Sequence, residues 1–165
     1  MRGPTTNARP REKQGARLRF WRAALLVLPG LLLLAVSSLA AGDAPPDYRL
    51  IAHPARPDTK VDREFAANAF LKNITRWPND EAIRPVDQRA DAAVRRRFSD
   101  SVLKRSVQAV KTYWQQRIFS GRGVPPPELD SDEAIVRYVE SNPGALGYIS
   151  GTAAAGKAKV LLVTH

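Results

Sequence analysis

The alternation of apolar and polar positions predicts the regular elements of this chain. We expect a helix where apolar residues recur every third or fourth position, and a strand where they alternate. Four helices are predicted. The first two span residues 63–72 and 91–103. The third begins at its cap Ser106 and ends at Gly121, and the fourth begins at its cap Asp130 and has an apolar face at 135–139. Four strands are predicted at residues 48–53, 83–86, 146–149 and 159–164. Because helices interleave with strands, the fold class is α/β, with a mixed sheet flanked by helices.

Residues 1–42 have the features of an export signal. A basic leader precedes an apolar run at 23–41, and small residues at 38–42 suit a signal peptidase. The run is close to the ~20 residues that span a bilayer, so an uncleaved membrane anchor is the alternative. Pro29 and Gly30 in its middle weaken a continuous helix and favour cleavage. We therefore predict an exported protein, periplasmic or held on the inner membrane by residues 23–41, with a linker at 43–47 and one domain at 48–165.

The charge of the chain is concentrated near its start. The net charge is +10, but residues 1–40 contain seven Arg or Lys and a single Glu. The remainder is mildly basic, which is too little to predict nucleic-acid binding and suits an anionic ligand, an anionic membrane face or an ordinary soluble surface. The chain has no cysteine. This excludes disulfides, thiol chemistry and thiolate-bound zinc, so the domain must be held together by packing.

Candidate catalytic residues are few. His53 and His165 are the only histidines, and no cluster of carboxylates and histidines has the spacing of metal ligands. We predict a protein that is not an enzyme and has no metal or cofactor. The basic run at 95–97 is interpreted either as the solvated side of a helix or as an anion contact near a helix start. The Gly-Arg-Gly segment at 121–123 is interpreted as a helix stop, because it follows a helix and does not begin one.

Two segments carry a resemblance to a known family. Residues 70–80 read FLKNITRWPND, with Ile83 and Pro85 after them, and residues 142–148 read NPGALGY. Together they resemble the Phe-Leu-Gly-x-Ile-x-x-Trp and Pro-Gly-Ala-Ile-Gly-Tyr segments of the phosphate-binding proteins of high-affinity phosphate ABC transporters. The resemblance implies a type 2 periplasmic-binding-protein fold, an export signal, phosphate as ligand and an ABC permease as partner.

The chain also departs from that family. The family has two lobes, whereas the length of this chain corresponds to about one. The family's Arg-x-Asp-x-Ser-Gly-Thr segment, which opens a helix, matches here at Arg89 and Asp91, but Ala93, Val94 and Arg95 replace its Ser-Gly-Thr. The resemblance therefore implies a site formed by Arg89, Asp91 and the backbone N–H groups at the start of that helix, with Arg95 in place of the lost hydroxyl groups.

Two functions remain open from the sequence. The first is an exported solute-binding-like protein that binds phosphate or a similar oxyanion for ABC-type transport. The alternative is a non-enzymatic periplasmic interaction or adaptor domain that kept the fold and lost the ligand. The missing hydroxyl groups and the missing second lobe favour this alternative, whose partner would be a membrane or envelope protein.

Overall fold

The computed structural model describes residues 47–165. The export-signal prediction for residues 1–42 and nearly all of the predicted linker lie outside the described residues. The described residues form seven strands: β1 (Tyr48–Ala52), β2 (Lys60–Asp62), β3 (Arg84–Pro85), β4 (Asp87–Gln88), β5 (Glu128–Leu129), β6 (Ala145–Ser150) and β7 (Lys159–Thr164). Four α-helices are α1 (Arg63–Phe70), α2 (Ala93–Phe98), α3 (Val107–Phe119) and α4 (Asp132–Ser141), and a π-helical turn at Ser99–Leu103 follows α2.

The main sheet is mixed, as the element order predicted. Its five strands lie in the order β2-β7-β1-β6-β3. Strand β1 is antiparallel to both neighbours, β6 and β7, whereas β2 is parallel to β7 and β3 is parallel to β6. Strands β4 and β5 form a separate parallel pair. Within residues 47–165, no helix is long and apolar enough to cross a bilayer.

The sheet is packed on both faces, which explains the continuous apolar run in β1. Leu50 faces one apolar cluster and Ile51 faces the other, and both side chains are fully buried. In the first cluster the rings of Phe98 and Tyr148 stack at 3.9 Å between centroids. The second cluster lies under α4, where a Cβ on Gly147 would come within 2.8 Å of Ile135 Cγ2. Leu50, Ile51 and Ala52 of β1 are thus buried whichever face of the sheet they occupy.

Helix caps set most helix boundaries. The carboxylate of Asp62 accepts a hydrogen bond from Glu64 N at 2.7 Å. The hydroxyl of Ser106, the predicted cap of α3, accepts one from Ala109 N at 3.2 Å. The predicted cap of α4 is wrong by one residue, because Ser131 and not Asp130 caps this helix, by accepting a bond from Ala134 N. Helix α3 ends at Phe119, and Gly121 follows with φ +69, in agreement with the predicted stop.

Three short strands were not predicted. Strands β2, β4 and β5 contain two or three residues each. A segment this short has no apolar period to recognise, and its pairing depends on partners distant in sequence. The predicted helix at 91–103 also differs from the observed structure. It begins two residues later, at Ala93, and changes to the π-helical turn, whose wider spacing buries Val102 and Leu103 together.

Candidate functional site

The three predicted site residues lie around the turn that joins β4 to α2. Arg89 N donates to Leu129 O at 3.1 Å, so the pairing of β4 with β5 continues into the turn. Ala92 N then donates to Arg89 O at 3.1 Å and closes it. The structure therefore brings Arg89 and Asp91 together at the surface, and places Arg95 one helical turn further along, on the buried side of α2.

Arg89 and Asp91 form a paired ion bridge. The Nε atom of Arg89 lies 2.5 Å from Asp91 Oδ1, and its Nη2 atom lies 2.6 Å from Oδ2. The side chains are 52 % and 68 % exposed. The hydrogen bond from Arg89 lowers the pKa of Asp91, and the same bond raises the pKa of Arg89. Both groups are charged near neutral pH, and an anion approaching Arg89 meets the carboxylate of Asp91 as well.

Arg95 is almost completely buried and pairs with Asp87. The two side chains are 4 % and 6 % exposed, and Arg95 Nη1 contacts Asp87 Oδ2. The same nitrogen lies 3.4 Å from Gln88 O and 3.5 Å from the Tyr148 hydroxyl. Within residues 47–165, its Nε atom is buried and has no hydrogen-bond partner. One donor of this guanidinium is thus left without an acceptor.

Asp87 is the centre of a polar network that the sequence did not reveal. Its Oδ1 atom accepts hydrogen bonds from the Tyr148 hydroxyl and, at 2.9 Å, from Gln88 N. Gln88 Nε2 donates in turn to Asp132 Oδ1 at 2.7 Å, which connects the network to the start of α4. Burial raises the pKa of Tyr148, so this hydroxyl stays protonated and donates. The sequence signal for this network was Asp87 itself, an acidic residue that directly follows an apolar segment and precedes Arg95 by eight positions.

A cavity of about 670 Å³ opens beside this network. The turn residue Asp91 and the guanidinium-bearing Arg95 line one side of it, and Lys111 and Trp114 of α3 line another. Glu128 of β5 also lines it. The cavity therefore combines two cations, two carboxylates and an aromatic wall. Sequence reasoning missed Lys111 as a member of this site, because only the tertiary fold brings α3 to a turn some twenty positions earlier in the chain.

A second buried arginine, Arg56, has a structural role. Its Nη1 atom lies 2.7 Å from Glu81 Oε2 and 3.2 Å from Asn79 Oδ1, and Nη2 contacts Asp58. Its guanidinium lies 4.1 Å from the Trp77 ring. These contacts fix the Trp77 turn to the loop after β1. Two carboxylates already neutralise this cation, and in the described part of the chain no group of carboxylates and histidines is arranged to hold a metal ion.

The two segments that carry the family resemblance contact each other directly. Trp77 Nε1 donates to Gly144 O at 3.1 Å, and both partners are buried. Gly144 has φ +76, and a Cβ at this position would collide with Ala82 O. The Trp and Pro-Gly-Ala segments thus form one packed corner of the fold, at the ends of β3 and β6.

Comparison with solved structures identifies the architecture. The chain shares the fold of phosphate-binding transport proteins. A protein assigned as a phosphate ABC transporter substrate-binding protein from Clostridium perfringens, with phosphate bound, matches with a TM-score of 0.56 at 20 % identity, over 71 % of this chain and 44 % of that one. An ABC-type phosphate transport receptor from Vibrio cholerae matches with the same TM-score and identity, over 46 % of its length. PstS from Borrelia burgdorferi matches with a TM-score of 0.55 at 14 % identity, over 72 % of this chain and 47 % of that one.

The family resemblance that the two sequence segments indicated is therefore confirmed at the level of the fold. The chain spans less than half the length of these solved structures. No family model and no curated protein matches the sequence. The names of these solved structures are those of transport proteins.

Proposed function

We propose that this protein is a solute-binding-like protein whose ligand is phosphate or a similar oxyanion. The observation that carries the proposal is the cavity lined by Asp91, Arg95 and Lys111 in a fold shared with phosphate-binding proteins. Arg89 lies at the surface end of the same turn. Charge-assisted hydrogen bonds from guanidinium groups match the paired oxygens of an oxyanion.

Each of the three predicted residues has a defined role in this proposal. Arg89 supplies paired N–H donors after it turns away from Asp91. The carboxylate of Asp91 accepts a hydrogen bond from a protonated phosphate oxygen. Arg95 contributes the Nε donor that has no partner within residues 47–165, while its Nη1 atom stays with Asp87. Lys111 adds a third cation.

The proposal includes a cellular setting. We infer that residues 1–42 export the protein, so that it acts in the periplasm or on the outer face of the inner membrane. An ABC permease or another envelope protein would be its partner. Neither an enzymatic activity nor a cofactor belongs to this proposal.

Calorimetry with phosphate and with sulfate tests the ligand. We expect binding heat in the wild-type protein, and we expect Arg89→Ala to weaken the affinity at least about tenfold, because a lost charge-assisted hydrogen bond has about that effect. Lys111→Gln should weaken it in the same direction. Arg122→Ala, in the exposed loop after α3, is the matched control and should leave the affinity unchanged.

Two results would contradict the proposal. If Arg122→Ala abolishes binding and Arg89→Ala does not, the site is elsewhere. If no heat is detected at millimolar phosphate or sulfate, the oxyanion ligand is wrong.

One observation favours a second candidate function, an interaction or adaptor domain. Both arginines of the proposed site already have carboxylate partners, Asp91 and Asp87, so the site has little net positive charge. Absence of binding heat in a folded protein, together with co-purification of an envelope partner, would support this alternative.

A further inference from the structure

The end of α3 and the loop after it expose large apolar side chains to solvent. Phe119 is 90 % exposed, Val124 is 64 % exposed, and Ile118 is half exposed. We call these three residues and Arg122 the α3 tip. Exposure of a single large apolar residue is ordinary, but three of them within seven positions form a local apolar surface. None of the elements described above covers it.

The segment of sequence that contains the α3 tip is basic. No Asp or Glu occurs between Asp100 and Glu128, whereas this interval contains five basic residues: Lys104, Arg105, Lys111, Arg117 and Arg122. Among residues 47–165, ion pairs are formed by arginines elsewhere, and none involves these five cations. Arg117 is used inside the domain, where Nη1 donates to the Tyr113 hydroxyl at 2.9 Å, but the charge of Arg122 in the exposed loop is available to a negatively charged partner.

The α3 tip is held in place by the body of the domain. Helix α3 buries only Val110 and Trp114, so most of its surface faces outward. Lys72 Nζ donates to Val124 O at 3.0 Å and to Pro125 O at 3.3 Å, which fixes the loop. Arg117 Nη2 donates to Arg122 O at 3.3 Å. The apolar groups and the cations are thus presented together, on a supported loop.

We propose that the α3 tip binds the surface of an anionic lipid bilayer. Phe119 and Val124 enter the boundary between headgroups and acyl chains, while Arg122 contacts lipid phosphates. Apolar side chains combined with cations are typical of segments that lie in the membrane interface. Free phosphate would satisfy the cations but would leave Phe119 in water, so the phosphates are assigned to lipid headgroups.

A fluorescent label in the full-length chain tests this proposal. The chain has no cysteine, so Val124→Cys gives a single labelling site for a dye that responds to an apolar environment. Leu162→Cys is the matched control, because Leu162 is 66 % exposed and lies on the sheet. The probe is a vesicle of phosphatidylglycerol and phosphatidylcholine, compared with a vesicle of phosphatidylcholine alone. Both labelled chains keep residues 23–41, so a difference between the two labels reports the local surface.

We expect the dye at position 124 to shift to the blue with anionic vesicles only, and to lose the shift in high salt, which screens the cations. The dye at position 162 should not respond. In the Val124→Cys background, Phe119→Ser should remove the shift, and Arg122→Gln should raise the lipid concentration needed for half of it about fivefold.

Three results would overturn the proposal. One is an equal response at positions 124 and 162, and another is an equal response to neutral and anionic vesicles. The third is a shift without vesicles that grows with protein concentration, since this would indicate that a second copy of the chain covers the α3 tip.

Discussion

At the scale of single residues, the buried pair of Asp87 and Arg95 places a strong constraint on the fold. Each partner is more than nine-tenths buried, so a charge on either side chain is strongly destabilising unless the opposite charge of the other is present. The surface pair of Arg89 and Asp91 is different, because water solvates both groups whether or not they are paired. The two pairs lie within a few residues of each other and differ only in burial.

We expect Arg95→Met to lower the free energy of unfolding by about 3–5 kcal/mol, since it leaves Asp87 as an uncompensated buried charge. Urea denaturation measures this loss. The double variant Asp87→Asn with Arg95→Met should recover most of it, because asparagine keeps an acceptor for Tyr148 and carries no charge. Arg89→Met, the exposed control, should cause no measurable change. An equal loss in Arg89→Met and Arg95→Met would contradict this account.

Tyr148 makes the stability of the fold depend on pH in the alkaline range. Burial raises the pKa of this hydroxyl above its ordinary value of 10.0. Below that value both the folded and the unfolded chain hold the proton, and the full stabilisation is present. Above it the unfolded chain loses the proton first, so the free energy of unfolding falls as the pH rises. We expect the urea midpoint to decline above pH 10.0, and Tyr148→Phe to make the decline shallower. An unchanged slope in Tyr148→Phe would show that other groups cause it.

At the scale of elements, the sequence predicted what depends on local chemistry. Asp62 and Ser106 cap α1 and α3 as their residue types indicate, and the apolar runs gave β1, β6 and β7. Strands β4 and β5 were missed because two residues carry no period, and their pairing is a long-range property.

The candidate site was only partly predictable for the same reason. Arg89 and Asp91 are two residues apart, and their proximity follows from the turn. Arg95 lies in a run of three arginines, a pattern that predicts solvated side chains. Nothing in the run shows which of the three arginines faces Asp87. Only the packing of α2 against the sheet makes this distinction, because it turns Arg95 inward and leaves Arg96 and Arg97 exposed.

The cap of α4 allows a direct comparison of two neighbouring residues. We expect Ser131→Ala to lower the free energy of unfolding by about 1 kcal/mol, because it removes the acceptor for Ala134 N. The Ser131 side chain also lowers the pKa of Glu133 through a hydrogen bond. Asp130→Ala should have no measurable effect in the same denaturation experiment. A larger loss in Asp130→Ala than in Ser131→Ala would restore the cap predicted from the sequence.

At the scale of the whole molecule, β7 joins the outer strand β2 to the centre of the sheet. Leu161 of β7 is buried in the core, whereas its neighbour Leu162 points to solvent. We expect Leu161→Ala to cost about 2–5 kcal/mol and Leu162→Ala far less, since only the first leaves a cavity. Thermal and urea unfolding of both variants measures the difference. Similar losses in the two variants would indicate a different register of β7.

The position of β7 also determines when the fold can form. A ribosome makes the chain from its first residue, and Leu50 in β1 must wait for Leu161 before that side of β1 is paired. The sheet therefore cannot be completed until Thr164 has been made, although most of its other strands are already present. Such distant pairing makes folding slow compared with that of a helical bundle. Until β7 has been synthesised, therefore, one side of β1 and the whole of β2 have no strand partner, and both edges stay open to wrong pairing.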